Sequence, residues 1–294
     1  MWRILIIGPG DIALRLAPQL TKKFRVYALA RRRERAEILR ALGVTPIIGD
    51  LDDSRTLKRI SGIAEAVLHL APPPSSGVGD ARTQRLIAAL GSHGNVPKRL
   101  VYISTSGVYG DCGGAWVDET RPVQPKTVRG KRRVDAERRL RAWAASNGVK
   151  LSILRAPGIY GDGRLPEARL RAGTPVLAAA DDVYTNHIHA DDLAGIVLAA
   201  LLRARPNRIY NASDDSEMKM ADYFDLVADM LKLPRPPRVS RVAAQVQLPK
   251  ELLSFMGESR RLRNRRLGKE LGVRLRYPTV ADGVAAVIRR DLKV

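Results

Sequence analysis

The sequence predicts an α/β protein in which a doubly wound parallel sheet of about seven strands carries a smaller, mainly helical lobe toward the C-terminus. Three observations predict it. Short apolar runs without polar alternation recur along the chain, as expected of strands covered on both faces. Each run is followed by a segment whose apolar residues return at helical spacing. Beyond Asp214 this alternation stops and amphipathic helices dominate.

The elements follow in order. RILIIG (3–8) is a β-branched run ending in glycine, and DIALRLAPQLTK (11–22) repeats apolar residues at Ile12, Leu16 and Leu20, giving strand, turn and helix. The unit then recurs as RVYALA (25–30) with RRRERAEILRALG (31–43), TPIIGD (45–50) with the predicted helix SRTLKRISG (54–62), and EAVLHLAPPP (65–74) with ARTQRLIAALGSHG (81–94). RLVYIST (99–105) is the fifth strand, a helix runs to about Asn147, KLSILRAP (150–157) is the sixth strand and NRIYNAS (207–213) the seventh. MKMADYFDLVADMLKL (218–233) reads as an amphipathic helix, PRPPRV (234–239) as a stiff linker and SRRLRNRRLGKELGVRL (259–275) as a basic helix ending at glycine. The expected division is 1–156 with 183–213 for the sheet domain, and 157–182 with 214–294 for the lobe.

Composition bounds the function classes. Apolar residues make up 45% of the 294 and charged residues 28%, which suits a folded globular chain. The longest apolar stretch, 194–202, falls well short of the roughly 20 residues that span a bilayer, and no targeting segment is visible, so a cytoplasmic location without membrane partners is expected. Cys112 is the single cysteine, and His69, His93, His187 and His189 lack the partners of a zinc site, so no metal is expected. The net charge of +21 raises nucleic acid as a partner. The arginines are spread over the whole length and only 5% of residues are aromatic, which disfavours that reading and favours an arginine-rich solvated surface.

GPGDIA (8–13) is the main chemical signal. Gly8, Gly10 and Ala13 stand in the G-x-G-x-x-A pattern, with Asp11 and Ile12 between them, after a strand and opening a helix. The first glycine makes the turn, the second lets a pyrophosphate approach the backbone, and the small third residue lets helix and strand pack closely, which together describe a Rossmann-type dinucleotide site. About 20 residues further on, an acidic residue that would hold the ribose 2′-hydroxyl is expected, and Ala30 stands there instead. Arg31 and Arg32 follow, with Arg33 behind them, so NADP(H) is expected over NAD(H); the alternative is that they begin a solvated helix face. Asp50, in IIGDLDD, is placed to hydrogen-bond an adenine amino group beside Leu51, or else to cap the segment that follows.

With ILIIGPGDIA, GDLDD, VLHLAPPP, LVYISTSGVYGD, LRAPGIYGDGR, HIHADDLA, RIYNASDD and NRRLGKELGVRLRYPTVADG in place, the sequence resembles the extended short-chain dehydrogenase/reductases, the NAD(P)-dependent epimerase/dehydratase group. The resemblance implies that Thr105 hydrogen-bonds the reacting oxygen of the substrate, with Ser104 on the nicotinamide side. It implies that Ala71 and Pro72 border the cofactor, that Pro157 with Gly158 packs on the nicotinamide, that Asp192 caps the next helix, and that His187 and His189 are structural. It also implies a homodimer through the helix that follows Pro125.

On that helix the group carries Y-x-x-x-K, and the matching positions here are Arg129 and Arg133. They keep the one-turn spacing, but a guanidinium stays charged at neutral pH and cannot do tyrosine's proton transfer. Arg133 could still donate to ribose hydroxyls, while Tyr109, Tyr160, Asp111 and Glu119 are candidate replacements. The nearest likeness is therefore to the subgroup lacking the tyrosine. Two functions are expected from this pattern: an enzyme acting on a sugar nucleotide or other anionic metabolite, with Arg129 or Arg133 stabilising negative charge, or an inactive NADP(H)-binding regulator or redox sensor.

Overall fold

The computed structural model describes residues 2–92 and 94–291. His93 lies outside them. At its centre is a seven-stranded sheet made of β1 (Arg3–Ile7), β2 (Arg25–Ala30), β3 (Thr45–Ile48), β4 (Ala66–His69), β5 (Arg99–Thr105), β6 (Lys150–Ala156) and β7 (Arg208–Asn211). The spatial order is β7, β6, β5, β4, β1, β2, β3, and every pairing is parallel. The helices are α1 (Asp11–Thr21), α2 (Arg33–Ala41), α3 (Ala81–Gly91), α4 (Val128–Asn147), α5 (Glu167–Arg171), α6 (Ala190–Arg203), α7 (Met220–Met230), α8 (Arg241–Gln247), α9 (Lys250–Phe255), α10 (Arg265–Leu271) and α11 (Val280–Asp291).

The two-residue period of a strand explains why the sheet is covered twice. In β1, Ile4 and Ile6 point into one core with Leu16 and Leu20 of α1 and Ile196 and Val197 of α6. Leu5 and Ile7 point into the other, with Leu86 and Leu90 of α3 and Leu140 of α4. Burying each such side chain contributes ~1.5–3 kcal/mol, so neither face tolerates a register slip. The chain order reverses between β1 and β4, which opens a crevice at the carboxyl ends of those strands.

The lobe core joins Tyr160, Leu170, Val176, Phe224, Val227, Val280 and Val284, with a second cluster of Leu177, Ala244, Leu248 and Met256 under α8 and α9. It is tied to the sheet domain by a short parallel pairing of Gly158–Tyr160 with His187–His189.

Several elements differ from expectation. Ser54–Ile60 is a 3-10 helix, whose tighter turn stacks the buried Leu57 and Ile60, three apart, on one side. Only Arg265–Leu271 of the predicted helix 259–275 is helical. Arg261–Leu262 instead pairs in parallel with Trp116–Val117, burying Leu262 while the Arg261 guanidinium lies 5.1 Å from the Trp116 ring. Arg238–Val239 of the expected linker pairs with Val176–Leu177. Helix α10 sends Leu267 and Leu271 into the sheet-domain core beside α6 although it lies within the stretch assigned to the lobe. Asp192 does not cap α6: His189 does, its Nδ1 accepting from the Asp191 N–H at 3.1 Å. Asp192 holds the following loop, accepting from the N–H groups of Arg276 and Tyr277 at 2.8 and 2.9 Å. No helix among the described residues is long and apolar enough to cross a membrane.

Candidate active site

Gly8 follows β1 with φ +83, and a Cβ there would lie 2.5 Å from the backbone of Ala71, which follows β4. The turn can therefore close on the neighbouring strand only with glycine. Gly10 is the N-cap of α1 and has no side-chain cap, and a Cβ there would meet nothing within 4 Å. An uncapped helix N-terminus facing open space is a site for an anion. Ile12 and Ala13 bury their side chains in the core, leaving backbone N–H groups to face the turn. Asp11 directs its carboxylate elsewhere, accepting from Arg15 Nε at 2.9 Å and Arg164 Nε at 2.8 Å.

Beside this turn a cavity of about 420 Å³ is lined by Gly8, Gly10, Arg31, Arg32, Asp50, Leu51, Ala71 and Pro72, all singled out from sequence. Arg35 and Arg82 also line it. Arg35 lies in the first turn of α2, just past the arginine run 31–33. Arg82 is invisible in sequence because it arrives from α3, where it donates to Asp52 at 2.9 and 2.5 Å and to the carbonyls of Pro72 and Pro73 at 3.3 Å. Arg31 and Arg32 are exposed at the rim, with Arg31 Nε 4.0 Å from Asp50. Asp50 is not the cap of the next helix, since Asp53 accepts from the Arg55 N–H at 3.1 Å in that role.

Thr105 ends β5 beside Ala156, so Pro157 follows on the adjacent strand. Its Oγ1 accepts from the Gly107 N–H at 3.2 Å, which leaves its hydroxyl proton free to donate outward. Ser104 points the other way. Its buried hydroxyl donates to Glu137 Oε1 at 2.6 Å, and Glu137 in turn receives Arg155 Nε and Nη2 at 3.1 and 2.7 Å, so Ser104 is held in the core rather than at the crevice.

Helix α4 begins at the Thr127 cap, whose Oγ1 accepts from the Gly130 N–H at 3.1 Å. A Cβ at residue 130 would lie 2.9 Å from the Gly107 carbonyl oxygen, so glycine there lets the helix close on the Thr105 turn. Arg129 and Arg133 share a face of α4 but diverge at their tips. Arg133 Nη1 donates to the Ile103 carbonyl at 2.9 Å and to Tyr102 Oη at 3.0 Å. Arg129 stacks on Phe255, 3.9 Å from the ring centre, and burial lowers its affinity for a proton while Glu258 partly restores it. Arg132, between them in sequence, donates from Nη1 to the Pro74 carbonyl.

A sequence model of the family described as "NAD dependent epimerase/dehydratase family" matches residues 4–213. The chain belongs to that family. Among relatives in the family, a dTDP-glucose 4,6-dehydratase of Mycobacterium tuberculosis is 27% identical over 207 residues, covering 63% of this chain and 61% of the dehydratase. The chain thus matches less than two thirds of that enzyme's length. A conserved protein of unknown function from Silicibacter pomeroyi is 31% identical, with 99% of each chain covered and a TM-score of 0.83. A UDP-glucose 4-epimerase from Thermotoga maritima, solved with UDP-glucose, is 18% identical over 99% of each chain with a TM-score of 0.79, a likeness of fold.

Each of the four candidate replacements for the proton-transfer tyrosine of the epimerase/dehydratase pattern is hydrogen-bonded within the fold. Tyr109 donates to Asn211 Oδ1 at 2.8 Å, and Tyr160 donates to the Thr279 carbonyl at 3.2 Å. Glu119 accepts from the Asn211 N–H at 3.0 Å and lies 3.4 Å from Arg266 Nε, while Asp111 accepts from the N–H groups of Gly113 and Ser259 at 3.2 and 2.8 Å. His187 and His189 are buried and burial depresses both, His187 to about 3. Among the described residues no cluster of histidine, cysteine or carboxylate could hold a metal. A further residue missed from sequence is Glu258, in the GES segment after α9, whose carboxylate reaches the Gly107 turn and pairs with Arg260.

Proposed function

We propose that this chain is an NADP(H)-dependent enzyme acting on a nucleotide-linked sugar or a similarly anionic metabolite. One observation carries the reading: the arginine-rimmed cavity that opens beside the uncapped end of α1, where the strand order reverses. Its residues fit a dinucleotide. The N–H groups of the Gly8 to Ala13 turn would hold the pyrophosphate, Asp50 and Leu51 the adenine, and Arg31 and Arg32 a 2′-phosphate, each guanidinium contact contributing ~1.5–3 kcal/mol. Ala71, Pro72 and Pro157 would border the rest of the cofactor, with Arg133 toward its ribose. When bound, such a cofactor supplies reversible hydride transfer.

The substrate class is inferred from the dehydratase and epimerase relatives, and from Arg129, a half-buried cation beside the Thr105 turn suited to an anionic substrate. Thr105 orients the reacting oxygen through its free hydroxyl proton. The test is incubation with NADP⁺ and either UDP-glucose or dTDP-glucose in D₂O, followed by NMR of the sugar. Epimer, keto product or deuterium incorporation is expected, with Thr105→Ala slowing it by about 10²-fold. Tight NADP⁺ binding with no change in any nucleotide sugar would favour the regulator instead.

A further inference from the structure

Arg129 cannot transfer a proton, so a reaction at Thr105 needs another group whose charge can change. We propose that Glu258 is that group, its carboxylate taking up and returning the proton of the substrate hydroxyl held by Thr105. The inference rests on the enzyme reading above.

The geometry is specific. The Glu258 side chain is 9% exposed, and its Oε2 is paired with the Arg260 guanidinium. Its Oε1 is buried, and among the described residues no donor reaches it. A buried carboxylate oxygen left without a donor is costly and uncommon in folded proteins, and a substrate hydroxyl is the kind of group that would satisfy it. The carboxylate also faces the correct turn. A Cβ on Gly107 would lie 4.0 Å from Glu258 Oε2 and 3.6 Å from Thr105 Oγ1, so the two side chains flank one residue that has none of its own.

The charges around Glu258 come from each packed element. Arg260 lies in its own segment and donates from Nε to the Gly110 carbonyl at 2.9 Å, which fixes the pair against the turn. Arg129 approaches from α4, with Arg132 and Arg133 farther along the same helix. Asp111, near Lys126, closes the loop side and accepts from the Ser259 N–H at 2.8 Å. In the oxidising direction the O–H proton passes to Glu258 Oε1 and the C–H hydrogen leaves with its electron pair for an oxidised nicotinamide dinucleotide. The C–O bond becomes C=O, and reversal returns proton and hydride.

The test uses the full chain with its glutamate carboxyl carbons labelled with ¹³C, the Glu258 resonance being the one missing from Glu258→Gln. Oxidised nicotinamide carries a positive charge that the reduced ring lacks. The Glu258 carboxyl resonance should therefore differ in chemical shift between the NADP⁺ and NADPH complexes. An identical chemical shift in the two complexes places the carboxylate away from the reacting centre and overturns the proposal. With UDP-glucose or dTDP-glucose, Glu258→Gln should lose about 10²–10⁴-fold in turnover at unchanged NADP⁺ affinity, and Glu258→Asp should keep part of it. An undiminished rate in Glu258→Gln also overturns it. Should the amide variant fail to fold, Glu258→Asp provides both the assignment and the rate. A parent that binds NADP⁺ but turns over neither sugar is judged by that chemical-shift difference alone, and one that binds no NADP⁺ removes the enzyme reading together with this one.

Discussion

Gly8 and Gly10 look interchangeable in the GPG turn, yet the structure gives them different tasks. At Gly8 the positive φ and the 2.5 Å approach to Ala71 leave no room for a side chain. Gly8→Ala should therefore destabilise the fold by about 1–3 kcal/mol or more in denaturant unfolding. Gly10 faces open space, so Gly10→Ala should unfold within about 0.5 kcal/mol of the parent while NADP⁺ affinity falls at least about tenfold, the methyl group standing where a pyrophosphate must approach. Equal loss of stability in both variants would contradict the assignment. The pattern of glycines was readable from sequence because their spacing reflects backbone geometry. The directions of Ser104, Asp11 and Glu258 were not, since each is set by a neighbour distant in the chain: Glu137, Arg164 and the Gly107 turn respectively.

At the scale of elements, α4 shows where reading from sequence succeeds and stops. Its end near Asn147 and the shared face of Arg129 and Arg133 follow from the sequence and the one-turn spacing. The destinations of the two guanidiniums do not, because long flexible side chains one turn apart can reach β5 in one case and Phe255 in the other. The same helix is fastened to the sheet by Glu137, whose carboxylate joins Ser104 of β5 and Arg155 of β6 with both charged side chains nearly buried, at 5% and 4% exposure. Arg155 also lies 4.7 Å from the Tyr109 ring centre. Removing one member of a buried pair strands the other charge, so Glu137→Ala should cost about 3–5 kcal/mol in urea unfolding. A cost below about 1 kcal/mol would show that the network does not hold α4 to the sheet. The sequence predicts one basic helix over 259–275, but pairing with Trp116–Val117 buries Leu262 in an extended segment. Tertiary contact overrode local periodicity there.

For the whole molecule, the sheet domain was legible because each strand is a continuous apolar run and each crossover carries its own amphipathic helix. The lobe was less so, being assembled from short pairings between segments far apart in sequence, and α10 crosses from it into the sheet-domain core. The large positive charge also reads differently in three dimensions. Many arginines are engaged in ion pairs within the fold, such as Arg15 with Asp191, Arg208 with Glu270 and Arg290 with Asp162. Arg31 and Arg32 remain exposed at the rim of the cavity beside α1. Calorimetric titration of the purified chain with NADP⁺ and with NAD⁺, repeated on Arg31→Ala/Arg32→Ala, tests this account most directly. NADP⁺ should bind at least about tenfold more tightly than NAD⁺, a difference of ~1.4 kcal/mol, and the double variant should erase that preference while leaving NAD⁺ affinity nearly unchanged. Equal binding of the two dinucleotides by the parent, or a preference that survives loss of both arginines, would contradict it.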